Sequence, residues 1–255
     1  SLSFNSTMNG ANGYLDLDFP TKVVSPAKDT PITYALWFKM DNGNFANKQY
    51  IIGSQDSGDK FNLYFENSAL TWHIKNIDDN VDYVMNGVAT GRINADEWTF
   101  VAMVYDPNTD GQSNPDVVLL SIYVGDPSSF GPQTTSLTDL TGLDPTIRLG
   151  TDENGENPLT GSIDNFMIWN SPLNTQNDNN THLQITQIYN LHNPLTEYGN
   201  CTGCYRNSDA KDLEGYWNFN TGYGNTIDDQ CCTEYNSTND GTKSSEDVRW
   251  NIDSK

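Results

Sequence analysis

The residues of this chain that could do chemistry are mostly oxygen donors set in turns. Asp106-Pro107-Asn108-Thr109-Asp110-Gly111 reads D-x-N-x-D-G, the first half of a calcium loop. That spacing puts three side-chain oxygens on one side of a tight turn, and Gly111 permits the bend. Hard cations such as Ca2+ take oxygen ligands of this kind. The twelfth loop position, where an EF-hand has a bidentate Glu, is Val117; Asp116, one place earlier, is the substitute carboxylate. The segment links two predicted strands, so it is not an EF-hand. Its competing role is a polar hairpin with Asp/Asn turn chemistry. A further acidic loop, Asp152-Glu153-Asn154-Gly155-Glu156, reads as a solvated hairpin tip. For a sugar ligand the need is an aromatic face plus planar polar groups, and Trp72-His73 and Asp82-Tyr83 supply those types. Strand alternation puts Trp72 and His73 on opposite faces, so only one of them points at a ligand. Core packing is the competing role of Trp72.

Catalytic motifs are missing. The three histidines are His73, His182 and His192, and none is near a G-x-S-x-G elbow. There is no P-loop, no G-x-G-x-x-G and no H-E-x-x-H. A lyase using Tyr and His leaves no such local signature and stays open. The four cysteines, Cys201, Cys204, Cys231 and Cys232, form a C-x-x-C and a C-C pair. Disulfides between the clusters avoid a strained bond between adjacent cysteines and imply an oxidising compartment. A four-thiolate zinc site is the alternative. Sequons at Asn5, Asn179, Asn200 and Asn236 fit secretion, although chance matches are expected in so Asn-rich a chain.

The elements that must position these residues are strands. Short apolar or alternating runs bounded by Gly, Asn, Asp and Pro fall at 2–4, 14–17, 32–40, 50–53, 61–65, 70–74, 82–84, 98–105, 117–124, 147–149, 163–169 and 216–219. Many strands joined by short polar turns predict an antiparallel sandwich or barrel. The run 98–105 is apolar on both faces, which predicts a central strand. One helix is predicted at 182–191, capped by Asn180 or Thr181.

The chain has 255 residues, enough for one large all-β domain or two small ones. Its 13 Lys and Arg against 34 Asp and Glu give a formal net charge of −21, which excludes nucleic acid and anionic membrane surfaces as favoured partners. The sequence holds 26 Asp, 32 Asn and only 8 Glu, which favours turns over solvent-facing helices. Its 13 Tyr, 10 Phe and 6 Trp supply the core. No apolar run reaches the roughly 18 residues of a membrane span. With no initiator Met and no basic, apolar leader, the chain reads as a mature product or a piece of a longer one.

Several runs occur in a familiar order. They are Ser3-Phe4-Asn5 with Gly13-Tyr14-Leu15-Asp16-Leu17, then residues 34–39, 97–106, 120–125, 147–150, 159–170 and 213–220. In this order they resemble the strands of a laminin G-like domain of the concanavalin A-like lectin/glucanase superfamily. Residues 185–189 stand where such domains have a short I-x-x-I-Y helix. The resemblance implies an all-β fold, a two-sheet antiparallel jelly-roll sandwich with one short helix. Trp37, Trp98, Trp169 and Trp217 sit inside strand motifs and are expected to pack. Residues 1–255 are expected to form a single domain, with 193–255 as a Cys-containing C-terminal segment that completes it; alone it is too short for a core. The resemblance also implies a structural calcium held by Asp164 with Asn5 or Asn12, and a concave sheet lined by the strands that carry Trp72, His73, Asp82 and Tyr83. Laminarinase-type hydrolases of this fold use an E-x-D-x-x-E strand with paired carboxylates, and all eight Glu lie outside that pattern. The expectation is therefore a non-catalytic extracellular or surface module for binding or adhesion, carbohydrate-binding and calcium-stabilised. Its partner would be a glycan or a surface protein, without membrane insertion. The acidic surface favours neutral sugars or basic partners. The alternatives are a structural or spacer domain of a larger surface or virion protein, and a polysaccharide-degrading enzyme.

Overall fold

In the computed structural model the described residues are 1–4, 13–17, 31–41, 47–54, 59–76, 81–88, 91–107, 117–138, 147–169, 171–173, 183–190, 213–219, 226–227, 241–243 and 248–250. In chain order the strands are β1 (Leu2–Phe4), β2 (Leu15–Leu17), β3 (Ile32–Met40), β4 (Gln49–Ser54), β5 (Lys60–Glu66), β6 (Ala69–Asn76), β7 (Val81–Val88), β8 (Trp98–Asp106), β9 (Val117–Val124), β10 (Gln133–Thr138), β11 (Ile147–Leu149) and β12 (Gly161–Trp169). A helix, α1 (Leu183–Asn190), follows, then β13 (Leu213–Trp217), β14 (Thr226–Ile227), β15 (Gly241–Lys243) and β16 (Val248–Trp250). The first sheet has the order β10-β9-β8-β3-β12-β1-β16, with β13 also paired to β12. The second has the order β14-β15-β2-β11-β4-β5-β6-β7. Every pairing is antiparallel among the described strands. This is the two-sheet antiparallel jelly-roll sandwich.

The doubly apolar strand explains the layering. On β8, Val101, Met103 and Tyr105 enter the main core, while Phe100, Ala102 and Val104 enter a second cluster on the other face. β3 repeats the pattern: Tyr34, Leu36, Phe38 and Met40 face the core, and Ala35 faces the second cluster. Between the sheets, the Tyr34 and Phe61 rings lie 4.7 Å apart and Phe61 meets Trp72 edge-on at 5.4 Å. The second cluster is covered by α1. Ile185 is buried there, and Tyr189 stacks on Trp37 at 5.3 Å and meets Phe100 edge-on at 5.7 Å. Of the four strand tryptophans, Trp217 and Trp169 are buried; Trp37 packs partly buried under α1, and Trp98 is half-buried with Lys39 over its ring at 5.6 Å.

β12 changes phase midway. Its register on β3 shifts between Asp164 and Met167, and Asn165 has φ 50. The irregularity lets Ile163 and Phe166 both face the core, and Met167 then faces the second cluster. It also marks a change of neighbour: 161–163 pair with β1 and 166–169 with β13. The Tyr216 hydroxyl donates to Asn165 Oδ1 at 2.7 Å and ties β13 to this point. Among the described residues no helix is long and apolar enough to cross a membrane.

Candidate functional site

With α1 over the first sheet, the outward face of the second sheet is where polar side chains gather. Its middle strands alternate strictly. On β5, Phe61, Leu63 and Phe65 face the core, so Lys60, Asn62 and Tyr64 face outward. Strand register lines up Asn62 with His73 and His73 with Val84; one step along, Lys60 meets Lys75 and Lys75 meets Asp82. The His73 imidazole Nε2 lies 2.8 Å from Asp82 Oδ1, a diagonal contact between β6 and β7. The His73 side chain is 21% exposed and that of Asp82 58%, so the pair is reachable from solvent. A carboxylate holding an imidazole is two-thirds of a hydrolytic triad. A hydroxyl or thiol bonded to His73 is absent among the described residues.

Of the four sequence-derived ligand residues, the structure brings His73 and Asp82 together and places the other two elsewhere. Trp72 is buried in the main core with its indole N–H unbonded, and Tyr83 packs against that core from β7. The reason is the period of two: each is one residue from its outward-facing neighbour.

Beside this pair the face is already knitted together. Lys48 Nζ sits 4.0 Å from the Tyr64 ring centre and 5.0 Å from that of Tyr50, and the two rings are 5.1 Å apart. Both tyrosines are buried. Burial, then the charges of Asp152, Glu153 and Glu66, push the Tyr50 phenol above the ordinary tyrosine range; Tyr64 is raised chiefly by burial. Lys60 pairs with Glu153 at 3.0 Å. At the β2–β11 end, Arg148 donates to Asp16 at 2.7 and 3.3 Å and lies 3.7 Å from the Tyr14 ring centre. These cation–ring contacts had no signal in the sequence beyond the residue types, because they depend on which strands become neighbours.

The acidic turn at 152–156 is exposed at Asn154 and Glu156, as its sequence reading expects, but not at its first residue. Asp152 is buried, not solvated. Its Oδ1 accepts the N–H groups of Asn154 and Glu156 at 3.0 and 2.7 Å, and Oδ2 accepts from Asn157 Nδ2 at 2.8 Å. The carboxylate stabilises the turn itself.

The calcium candidates are divided. Asp106 is buried at the end of β8, opposite Leu119 of β9; Asn108, Asp110 and Asp116 lie outside the described residues. Asp164 is buried at the β12 irregularity, where its Oδ1 accepts the Asn165 N–H at 3.0 Å and lies 3.9 Å from the Ser1 nitrogen. Asn5 and Asn12 lie outside the described residues. Phe4, the residue before Asn5, pairs with Gly161, three positions or about 10 Å from Asp164. No group of three or more His, Cys, Asp or Glu that could hold a metal occurs among the described residues. Asp164 and Asp106 therefore fit a cation only with ligands from the loops outside those residues. Cys201, Cys204, Cys231 and Cys232 also lie outside them.

The chain belongs to the concanavalin A-like lectin/glucanases superfamily: a family model of laminin G type matches residues 9–177. Among solved structures it is similar to a heptameric SAP-like pentraxin from Limulus polyphemus, with 16% identity, 79% of this chain and 82% of that chain covered, and a TM-score of 0.46. It is also similar to the binding domain of botulinum neurotoxin serotype G, with 11% identity and a TM-score of 0.48 over 74% of this chain; it spans 41% of that one. A third is the CBM40 of the Ruminococcus gnavus IT-sialidase, with 15% identity, 67% and 97% coverage and a TM-score of 0.40. No curated protein matches.

Proposed function

We propose that this chain is a non-catalytic, extracellular or surface-exposed binding module that takes a glycan on the outward face of its second sheet. The observation that carries the reading is the asymmetry of the sandwich. One outward face is closed by α1 and its aromatic cluster; the other sets His73, Lys75 and Asp82 in neighbouring rows, above an Asn62 that is buried and bonded to Ser54. His73 and Asp82 together offer a planar ring nitrogen and a carboxylate oxygen, the groups that hydrogen-bond sugar hydroxyls. Buried Trp72 and partly buried Tyr83 hold these strands from below. A net charge of −21 directs the choice of partner toward neutral sugars or basic protein surfaces. Calcium is proposed as a stabiliser through the 106–116 loop, since Asp106 anchors its first position at a strand end. The domain is proposed to run over 1–255. In that arrangement β15 pairs with β2 and β16 with β1, so strands from the C-terminal quarter join both sheets.

A broad glycan array probed in millimolar calcium and again in chelator tests the reading. Binding to a defined neutral glycan class supports it. Silence across the array in both conditions would sink it in favour of a spacer domain. Sustained release of reducing ends or unsaturated products from a polysaccharide panel would overturn the non-catalytic part.

A further inference from the structure

A sugar site gains from an exposed aromatic face, and among the described residues the His73–Asp82 patch has none: Tyr50 and Tyr64 are buried beside Lys48. Among the described residues the most exposed aromatic is Phe130, at 40%. It stands in the connection between β9 and β10. Over its ring, 4.2 Å from the centre, lies the guanidinium of Arg92 from the connection between β7 and β8. Ile93, the next residue, is buried in the main core and anchors the backbone under Arg92.

Two features separate this pair from a stray surface phenylalanine. The first is that its backbone is held in advance. The Asp126 carbonyl accepts the N–H groups of Ser129 and Phe130 at 3.1 and 3.0 Å. The Asp126 carboxylate accepts the Ser128 N–H at 2.9 Å and the hydroxyls of Ser128 and Ser129 at 2.6 and 2.8 Å. Gly125, at φ 78, supplies the left-handed turn residue that starts the connection. A tip fixed before the ligand arrives loses little freedom on binding. The second feature is the state of Arg92. In a chain with 34 acidic side chains, it lies on an aromatic ring and makes no salt bridge among the described residues. Arg148, by contrast, both covers a ring and grips Asp16. The guanidinium edge of Arg92, a planar fork of five N–H donors, remains available to a carboxylate.

We infer that Arg92 and Phe130 form a contact site for a carboxylate-bearing sugar of the hexuronate type. The carboxylate is held by the guanidinium fork, and the apolar C–H face of the sugar ring packs on the aromatic ring. The inference rests on the binding-module reading but concerns a different surface from His73 and Asp82; there the local cation of Arg92 selects an acidic sugar class that the net charge of −21 disfavours over the rest of the surface.

The test is a titration of the 15N-labelled full chain with methyl β-D-glucuronide and, separately, methyl β-D-glucoside. The reporters are the Phe130 and Gly131 amides, the Arg92 Nε–H and, for the other face, the His73 and Asp82 amides. The glucuronide is expected to shift the first three, with the glucoside binding more weakly. Arg92→Gln and Phe130→Ala should each weaken glucuronide binding about tenfold or more, the scale of a lost charge-assisted contact. Glucuronide shifts confined to His73 and Asp82 would overturn the inference while leaving the binding-module reading standing. It is equally overturned by no shift at Arg92 and Phe130, by unchanged affinity in Arg92→Gln, or by adsorption to anionic phosphatidylserine vesicles without any glucuronide shift.

Discussion

Glu153 shows how a single charge is built into the outward face. Burial works against its charged form, but a backbone hydrogen bond, the Lys60 hydrogen bond and the charges of Lys60 and Lys48 outweigh that, so its carboxyl titrates below the ordinary value of 4.5. A depressed folded-state pKa stabilises the fold above the unfolded pKa, and the contribution is lost as pH falls through the folded value. Wild type should therefore lose melting temperature more steeply than Glu153→Gln on going from pH 5 to pH 3, which parallel thermal scans will show. Equal slopes would mean that Lys60 and Glu153 are not coupled in solution. At this scale the sequence was partly legible. The types at His73 and Asp82 suggested a polar site, but their contact needs Lys75 opposite Asp82. A slip of one residue would turn Asp82 into the core. Arg92 and Phe130, 38 positions apart in the chain, gave no sequence signal at all.

Among the elements, α1 is short and depends on tertiary packing, since eight residues do not make a stable isolated helix in water. Its anchor is Ile185, fully buried against the outer face of the first sheet. Ile185→Ala should cost about 3 kcal/mol of stability by leaving a cavity, measurable by urea denaturation. A cost below about 1 kcal/mol would mean that the site collapses around the smaller side chain. The helix and the long strands were legible because their periods persist: 98–105 reads apolar on both faces, and both faces are buried. β10 escaped notice because Gln133–Thr138 is an edge strand whose one buried apolar side chain is Leu137. β14, β15 and β16 have two or three residues each, too few for alternation to register. The irregularity at Asp164 and Asn165 was hidden inside a run that looked like an uninterrupted strand.

For the molecule as a whole, the ion and the cysteines decide how the domain is held. A ligand that binds only the native state raises the melting temperature. Calcium should therefore raise it over chelator by several degrees, and Asp110→Ala should abolish the rise; a rise that survives in Asp110→Ala would place the ion elsewhere. Intact mass should show four hydrogens fewer than the reduced chain if Cys201, Cys204, Cys231 and Cys232 form two disulfides. Four free thiols with bound zinc would replace that assignment. The central claim concerns the face opposite α1, and its most direct test compares wild type with the His73→Ala/Asp82→Ala double variant on one glycan array in calcium. Both residues are surface groups, so the melting temperature should stay within a few degrees, roughly the effect of 1 kcal/mol. The account predicts that the wild-type glycan signals fall about tenfold or more in the variant, as expected for two lost hydrogen-bonding groups. Undiminished signals from a folded variant would contradict it and move the glycan site off this face.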